Sequence, residues 1–368
     1  MANADPAPAL AEEPCDVCCA VGSMRYHLDV SLVGGLDARV FRCELCGFRQ
    51  IRPRITQAEL ERLYPGAYFD SRSEFGFDDY AVQQQRIERE AYFLVKRLER
   101  IGPRGRLLEV GCALGFLLEA VRRFSAWEVV GIDISPFAVE FARRQYGLSV
   151  ECKTLEAARF PDASFDFVVQ KDLLEHVTHP REHLRETFRI LKPGGQVWII
   201  TPNGEANLRP FHALAAEIRD SKERVLPLLD QGHLQFFSRD NLLRLFAESG
   251  FECVWLRSIG IRRGLRALGF LPRKRSAVRT VPGGHARGAP SPPAGGASLP
   301  AEQAEIARLC EQLAADVAAR HTWLRSWTPY FYYRRVLRGF DGLPGSWGVG
   351  YDFACLLRKP GPAALRNA

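Results

Sequence analysis

The stretch KDLLEHVTHP, residues 171–180, places Asp172, Glu175 and His176 within one helical turn, directly after the apolar run FDFVV. On such a turn, side chains at positions i, i+3 and i+4 share one face. Two carboxylates and an imidazole on one face support three hypotheses. His176 is a catalytic general base, or the trio binds a divalent cation, or these residues form only the polar end of a buried strand.

A second group of residues near the N-terminus could bind metal. CDVC supplies Cys15 and Cys18, and CELCG supplies Cys43 and Cys46. Two Cys-x-x-Cys pairs at this distance predict a zinc ribbon, and four thiolates leave no open position for catalysis. A unit of about 40 residues has too small a core to fold alone, so the metal would supply much of its stability. Redox-active thiols or a disulfide pair are the alternatives.

A glycine-containing turn, EVGCALG at 109–115, follows one predicted strand and opens a helix. Gly111 and Gly115 allow the backbone to approach a ligand closely. Asp133 ends the next strand, where an acidic side chain can accept hydrogen bonds from both hydroxyls of a ribose. The third glycine of a dinucleotide motif is missing. The pattern therefore favours a nucleoside cofactor without a pyrophosphate.

The elements that position these residues alternate between strand and helix from residue 106 onward. The predicted strands contain RLLEV, WEVVGID, LSVEC, FDFVVQ, QVWIITP and FECVWLRS. This rhythm predicts an α/β fold with a doubly wound sheet. The last strand, in GYDFACLLRKP, is expected to insert antiparallel beside the sixth. The fold class is therefore a Rossmann-like seven-stranded sheet with an N-terminal zinc ribbon and a helical insertion before the last strand.

Composition divides the chain into eight expected segments. They are a disordered tail (1–13), the zinc ribbon (14–55), a helical connector (56–101), the α/β core (102–260), a basic flexible linker (261–300), a helical and aromatic insertion or lid (301–349), the last core strand (350–360) and a tail (361–368).

The net charge of +7 is concentrated in one part of the chain. No acidic residue lies between Glu252 and Glu302, and this interval holds nine arginines and lysines. Subtracting them leaves −2 for the rest, so a uniformly basic nucleic-acid-binding domain is not expected. The basic segment 262–279 is instead a candidate for peripheral contact with an anionic carrier or a membrane.

The sequence also indicates a compartment. The N-terminus has no basic start followed by an apolar stretch, so no secretory signal is expected. Most of the ten cysteines are scattered singly, which is typical of a reducing environment. We therefore expect a cytoplasmic protein.

Taken together, these pieces resemble class I S-adenosylmethionine-dependent methyltransferases. The matching stretches are LLEVGCALGF, VVGIDISP, SFDFVVQKDLLEHV, ILKPGGQVWIITPN and GHLQFFSRDNL, in order over residues 106–258, and the resemblance resumes at GYDFACLLRKP. It implies a set of cofactor contacts: Glu109, Gly111 and Gly115 line the methionine and ribose part, Asp133 holds the ribose hydroxyls, Ile134 packs on adenine, and Leu155 closes the other adenine face. An aspartate often found after the third strand is Thr154 here.

The resemblance also implies a reaction. A methyl group moves from S-adenosylmethionine to an acceptor, expected to be a hydroxyl of a small molecule, sugar or glycan. The ribbon followed by RPRITQAELERLY resembles a bacterial subgroup similar to the ubiquinone-pathway O-methyltransferases. Certain relatives carry Glu-x-x-Glu-His for a divalent cation, with a later histidine. Asp172 stands in place of the first glutamate, and His233 in GHLQFF is the candidate later ligand for Mg²⁺ or Mn²⁺.

Two other function classes are weighed against this one. A nicotinamide-dependent oxidoreductase or epimerase could use a Rossmann sheet, but the third glycine and a Tyr-x-x-x-Lys pair are missing. A zinc-ribbon nucleic-acid-binding protein with a degenerate methyltransferase domain would not need the intact EVGCALG turn. Nucleic acid is therefore not the expected partner. The aromatic stretch at 323–333 could form a lid, core or homodimer interface.

Overall fold

A computed structural model of the chain describes a defined part of it. The described residues are 13–32, 36–56, 59, 80–204, 225–229, 232–259, 280–282, 308, 310–311 and 352–361. Residues 1–12 of the expected tail, the basic segment 262–279 and the aromatic stretch 323–333 lie outside them. None of the described helices is long and apolar enough to cross a membrane.

The described elements are thirteen strands, six α-helices and one 3₁₀ turn. The strands are β1 (Met24–Leu32), β2 (Leu36–Cys43), β3 (Arg49–Arg52), β4 (Arg106–Val110), β5 (Glu128–Asp133), β6 (Val150–Cys152), β7 (Phe165–Lys171), β8 (Leu191–Pro202), β9 (Val225–Leu229), β10 (Gln235–Phe236), β11 (Glu252–Ile259), β12 (Thr280–Pro282) and β13 (Asp352–Arg358). The helices are α1 (Tyr80–Ile101), α2 (Phe116–Phe124), α3 (Pro136–Tyr146), α4 (Leu155–Ala158), α5 (Pro180–Ile190) and α6 (Arg239–Glu248), and the 3₁₀ turn is Leu174–His176.

The larger sheet has seven strands in the order β11-β13-β8-β7-β4-β5-β6. Strand β4 pairs in parallel with β5 and β7, and β7 pairs in parallel with β8. Strand β13 lies antiparallel between β8 and β11. The predicted seven-stranded Rossmann-like sheet is confirmed. The carboxyl ends of β4, β5 and β7 therefore meet at one edge, which is where such sheets bind ligands.

The sheet is buried on both faces. Since neighbouring residues of a strand point to opposite sides, adjacent residues of β4 show what covers each face. Leu107 packs in one apolar cluster with residues of α1, α2 and α3. Leu108 packs in another cluster with residues of α5 and α6. That second cluster also contains Cys43 and Phe48, so the cysteine-bearing segment is part of the main core rather than an appendage.

Helix α3 begins and ends at residues that are typical of helix termini. Ser135 caps it by accepting a hydrogen bond from the backbone N–H of Ala138, and Pro136 occupies the first turn. Gly147 ends it in the left-handed conformation, with a φ of 61°. These signals fix where the chain leaves β5 and returns to β6.

One boundary differs from expectation. The sequence predicts that the helix before KPGG includes Leu191, but α5 ends at Ile190 and Leu191 already belongs to β8. Leu191 pairs with Phe165 of β7. Gly194 has a φ of 82°, and its N–H donates to the carbonyl oxygen of Lys359 at 2.9 Å. Strand β8 therefore begins before Gly194, because its first residues pair with β7 and with the chain that follows β13.

A second sheet has six strands in the order β10-β3-β2-β1-β9-β12. Strands β1, β2 and β3 come from the predicted ribbon, whereas β9 and β10 come from the chain between β8 and α6. Strand β10 pairs antiparallel with β3, and β9 pairs in parallel with β1. The ribbon thus completes its sheet with strands from the α/β part of the chain.

Gly131 in β5 offers a direct test of how tightly this core is packed. A Cβ at this position would lie 2.6 Å from Leu118 Cδ1, 2.8 Å from Val150 Cγ1 and 2.9 Å from Cys112 Sγ. We expect Gly131→Ala to lower the free energy of unfolding by about 1–3 kcal/mol through overpacking. Urea unfolding measures this. Gly361→Ala, where a Cβ meets open space, is the control, and equal midpoints for the two variants would contradict the argument.

Candidate active site and metal centres

The loop after β4 is held against the loop after β5 by Asp133. The backbone N–H of Ala113 donates to Asp133 Oδ2 at 2.8 Å, and the N–H of Ser135 donates to Oδ1 at 2.8 Å. Gly111 has a φ of 74°, and its N–H donates to the carbonyl oxygen of Ile132 at 2.8 Å. Burial raises the pKa of Asp133, and these backbone hydrogen bonds oppose the rise. The carboxylate therefore shapes both loops at the sheet edge.

Glu109 is buried at the end of β4. Its Oε2 has no hydrogen-bond partner within the part of the chain that the structure describes. Burial raises the pKa of Glu109 well above its usual value; Lys171 opposes the rise, whereas Asp133 and Glu90 add to it. Lys171 Nζ itself contacts Glu90 Oε2 at 2.5 Å. An unsatisfied buried carboxylate is costly, and a cationic donor bound beside it would satisfy it.

The other predicted cofactor residues differ in how deeply they are buried and in what they contact. A Cβ at Gly115 would lie 2.7 Å from Leu148 Cδ1 and 3.0 Å from Ala142 Cβ, so this glycine also allows α2 to begin close to α3. Leu155 is fully buried in the core, whereas Ile134 is only half-buried at the sheet edge. Thr154 caps α4, since its Oγ1 accepts from the N–H of Ala157 at 3.2 Å. Helix capping thus accounts locally for the threonine at this position.

The acidic and imidazole side chains converge next to these loops. Strand β7 ends at Lys171, and the 3₁₀ turn that follows brings Glu175 and His176 beside His233 from the segment before β10. One ligand atom from each of the three lies within 4.8 Å of the others. The imidazole centroids are 5.0 Å apart, and His176 Nε2 lies 3.8 Å from Glu175 Oε1. One carboxylate and two imidazoles can hold a divalent cation.

Hydrogen bonds orient these groups. Thr201 Oγ1 donates to Glu175 Oε2 at 2.9 Å, while Oε1 has no hydrogen-bond partner among the residues described. His176 Nδ1 lies 3.1 Å from the carbonyl oxygen of Gly232. A carbonyl only accepts, so Nδ1 carries the proton in this contact and Nε2 presents a lone pair toward Glu175. A cation bound between Nε2 and Glu175 Oε1 would be coordinated by both atoms.

The electrostatics favour neutral imidazoles at this site. Burial lowers the pKa of His176 to about 4. Burial also lowers the pKa of His233 well below its usual value, and His176 adds to that effect. Burial raises the pKa of Glu175 well above its usual value, with Asp172 and Asp352 adding to the rise. An uncompensated carboxylate is unfavourable in such a place, whereas one bound to a cation is not.

The structure does not bring all the predicted ligands together. The cluster within 4.8 Å comprises Glu175, His176 and His233 and does not include Asp172. Asp172 is exposed and has a φ of 50°, so the chain bends there before the turn begins. A helical turn starting at Asp172 was the basis for placing it with the others, and the bend removes that basis.

Sequence reasoning missed two groups that act on Glu175. Thr201 comes from the end of β8, and Asp352 begins β13, where it pairs with Pro202. Both belong to segments that were predicted as strands. A polar residue at the end of each strand is the signal that could have identified Thr201 and Asp352, provided that β13 is placed next to β8.

The four cysteines of the predicted ribbon form a second cluster. Their Sγ atoms lie within 4.8 Å of one another, with 3.6 Å between those of Cys15 and Cys46 and 3.6 Å between those of Cys18 and Cys43. Sulfurs about 3.8 Å apart are what a tetrahedral zinc ion with bonds of about 2.3 Å requires. Cys19 is exposed and outside the cluster. The donor set therefore fits a structural zinc ion.

The thiols differ in their affinity for protons. The hydrogen bond with Cys46 and burial raise the pKa of Cys15, and burial raises that of Cys18. Burial alone would raise the pKa of Cys43 too, but hydrogen bonds from Ser23 and from backbone N–H groups lower it to about 6. A bound cation would hold all four as thiolates.

Comparison with known proteins agrees with this geometry. The Methyltransferase domain family matches residues 82–256. A ubiquinone biosynthesis O-methyltransferase of Ruegeria pomeroyi is 34% identical over 154 residues, which cover 40% of this chain and 60% of the relative. The enzyme of the same name from Pseudomonas fluorescens is 32% identical over 170 residues, covering 44% of this chain and 67% of the relative. The chain thus spans between three fifths and two thirds of these relatives.

Among solved structures, an S-adenosylmethionine-dependent methyltransferase from Mesorhizobium loti matches 69% of this chain and 90% of its own, with 14% identity and a TM-score of 0.36. The sequence relatives favour neither of the two competing hypotheses, a nicotinamide-dependent enzyme and a nucleic-acid-binding protein. The sheet order, the loops joined by Asp133 and the curated relatives agree, and the chain belongs to the S-adenosylmethionine-dependent methyltransferases.

Proposed function

We propose that this protein transfers a methyl group from S-adenosylmethionine to a hydroxyl oxygen of a small molecule, with a divalent cation at Glu175, His176 and His233. The observation that carries the proposal is the convergence of these three side chains at the same sheet edge as the Asp133 loops. The names of the sequence relatives, O-methyltransferases of ubiquinone biosynthesis, agree with an oxygen acceptor. The proposal includes a hydroxyl group of a sugar or glycan as the methyl acceptor.

The residues present fit the cofactor. Gly111 keeps the loop after β4 open, because a side chain there would meet Leu173 at 3.1 Å and the φ is positive. Asp133 would accept hydrogen bonds from the ribose hydroxyls, and the unsatisfied Oε2 of Glu109 would accept one from the amino group of the methionine part. The bound cofactor would supply a methyl group on a sulfonium, which already has a good leaving group.

The residues present also fit a cation. Glu175 Oε1 is buried without a hydrogen-bond partner in the described part of the chain, and both imidazoles favour the neutral, ligating form. Oxygen with imidazole suits Mg²⁺ or Mn²⁺, and such an ion lowers the pKa of a hydroxyl that it binds. Thr201 and the Gly232 carbonyl hold Glu175 and His176 in the orientation that this requires.

The competing hypothesis of His176 as a general base is less well supported. An effective base has a pKa near the working pH. Burial lowers the pKa of His176 to about 4, and Nδ1 is engaged by a carbonyl. Such an imidazole is a weak proton acceptor but a good metal ligand.

A labelling experiment tests the proposal. The protein is incubated with methyl-labelled S-adenosylmethionine and separate panels of phenolic, sugar and amine acceptors. We expect the label on oxygen of a hydroxyl acceptor, at a rate that falls by more than about 100-fold in excess chelator and returns on adding Mg²⁺ or Mn²⁺. Mass spectrometry locates the label.

Elemental analysis of zinc provides the control, since the thiolate-bound ion must remain in place during chelation. Full turnover in chelator with zinc retained would remove the cation from the proposal. Methylation of amines alone would remove the oxygen acceptor.

A further inference from the structure

We propose that the cysteine ribbon is a positioning element of the methyl-transfer site, because its strand β3 holds the segment that carries His233 against Glu175. The role of His233 and Glu175 as ligands rests on the proposed function, whereas the backbone contacts stand independently of it.

A ladder of backbone hydrogen bonds links the ribbon to the site. The N–H of Ile51 in β3 donates to the carbonyl oxygen of Leu234 at 2.9 Å. The N–H of Leu234 donates in turn to the carbonyl oxygen of Glu175 at 2.8 Å. The β3–β10 register continues the ladder, with Gln50 opposite Gln235. Leu234 therefore lies between the ribbon on one side and Glu175 on the other, and His233 precedes it directly.

Side chains support the same placement. Gln235 Nε2 donates to the carbonyl oxygen of Val177 at 2.9 Å. Arg54, just after β3, donates to the carbonyl oxygen of Thr178 at 2.8 Å and forms an ion pair with Asp16 at 2.8 Å. The chain from Glu175 to Thr178 is thus bonded at two points to Leu234 and Gln235, which pair with β3, and at one point directly to Arg54 of the ribbon.

The turn that carries the second cysteine pair leads directly into β3. The N–H of Gly47 donates to the carbonyl oxygen of Cys43 at 2.9 Å, and the N–H of Cys43 donates to that of Phe48 at 2.8 Å. Phe48 stacks on Phe237 with ring centroids 5.3 Å apart. Asn241 Nδ2 donates to the carbonyl oxygen of Cys46 at 2.9 Å. The second cysteine pair, β3 and the chain after β10 therefore form one packed unit.

The apolar face of the ribbon sheet extends this unit toward the cofactor loops. Leu234 and Phe236 are buried in a cluster with Val30 and Ile51. Ile134, next to Asp133, packs against the same cluster. The ribbon sheet consequently contacts both the loop after β5 and the segment of His233.

Two adjacent cysteines provide a test variant and its matched control. Cys18→Ser removes one of the four clustered thiols, whereas Cys19→Ser changes its exposed neighbour outside the cluster. Hydrogen exchange of the full-length protein is followed at the amides of Ile51 and Leu234. The amides of Gly111 and Gly131, which bond within the large sheet and its loops, report on the α/β part. Zinc content and Mn²⁺ affinity are measured in parallel.

We expect Cys18→Ser to lose zinc and to speed exchange at Leu234 by about 10-fold or more, while Gly111 and Gly131 stay protected. Mn²⁺ affinity should fall by about 10–100-fold, as when a group that orients a metal ligand is removed. Cys19→Ser should behave like the wild type. Zinc loss with unchanged protection at Leu234 would overturn the proposal. An equal rise at all four amides would overturn it as well, since the ribbon would then stabilise the whole fold instead of positioning one segment.

Ile51→Pro is a second variant, for the case that Cys18→Ser does not fold. It retains the thiols and removes the N–H that donates to Leu234. We expect zinc to be retained and exchange at Leu234 to accelerate, and full protection there would refute the positioning role. If the wild type binds no Mn²⁺, the cation in the proposed function fails, and the exchange measurement still decides the role of the ribbon.

Discussion

His233→Ala is expected to lower methyl-transfer turnover by on the order of 100-fold or more while leaving the affinity for S-adenosylmethionine nearly unchanged. The substitution removes one of three converging ligand atoms and leaves two, from the buried Glu175 and from His176. The cofactor loops are held by Asp133 through Ala113 and Ser135, so they do not depend on His233. The effect should therefore appear in turnover and in Mn²⁺ affinity, not in cofactor binding.

His179→Ala is the matched control for this variant. His179 lies in the same chain segment as His176, but it is exposed and belongs to a different group of possible ligands, with Asp16 and Glu182, so its loss should leave turnover unchanged. Turnover, calorimetric titration with S-adenosylmethionine and Mn²⁺ titration are compared for the two proteins. A loss of cofactor affinity equal to the loss of turnover in His233→Ala would mean that the substitution damaged the pocket as a whole, and the role of a cation ligand would then be refuted.

The sequence predicted the parts of the site that depend on strand order. Glu109, Asp133 and Glu175 lie at or after the ends of three parallel strands that are neighbours in the sheet, and the carboxyl ends of such strands meet at one edge whatever the details of packing. The four cysteines were predictable for a related reason, since two Cys-x-x-Cys knuckles bring their own ligands together with little help from the rest of the chain.

The sequence could not predict what depends on long-range register or on a single bend. Asp172 was grouped with Glu175 by helical spacing, but Asp172 has a positive φ, precedes the 3₁₀ turn and does not belong to the cluster of Glu175, His176 and His233. Leu234 is pinned by Ile51, a residue far away in the chain, and no local pattern reveals that pairing. Periodicity reports which face of an element is buried, but it does not report which distant strand covers that face.

The same distinction between local signals and long-range pairing explains which features of the ribbon could be predicted. Its cysteine spacing is a local signal and was found, whereas its sheet is completed by β9 and β10, which come from the chain after β8. Strand β10 has only two residues, too few to be recognised by alternation. The expected boundary at residue 55 therefore lies between β1–β3 and β9–β10, which belong to the same sheet.

Asp133→Asn is expected to weaken the binding of S-adenosylmethionine by about 100-fold and also to lower stability. Each carboxylate oxygen of Asp133 accepts a backbone N–H, from Ala113 and from Ser135, both at 2.8 Å. An asparagine side chain has one acceptor oxygen, so its NH₂ group must face one of these two donors whichever way it is turned. One buried N–H is left unsatisfied, at a cost of about 1–3 kcal/mol. The charge that would strengthen the bonds to the ribose hydroxyls is lost as well.

Glu151→Gln makes the corresponding change on the neighbouring strand β6, where the carboxylate is half exposed and pairs with Lys153. That variant should keep both cofactor affinity and the midpoint of unfolding, since exposed ion pairs contribute little. Isothermal titration and urea unfolding measure the two effects separately. Unchanged cofactor affinity in Asp133→Asn, with the loss of stability present, would show that the carboxylate only joins the two loops. The ribose hydroxyls would then be bound by other groups, and the proposed contact between Asp133 and the ribose would be wrong.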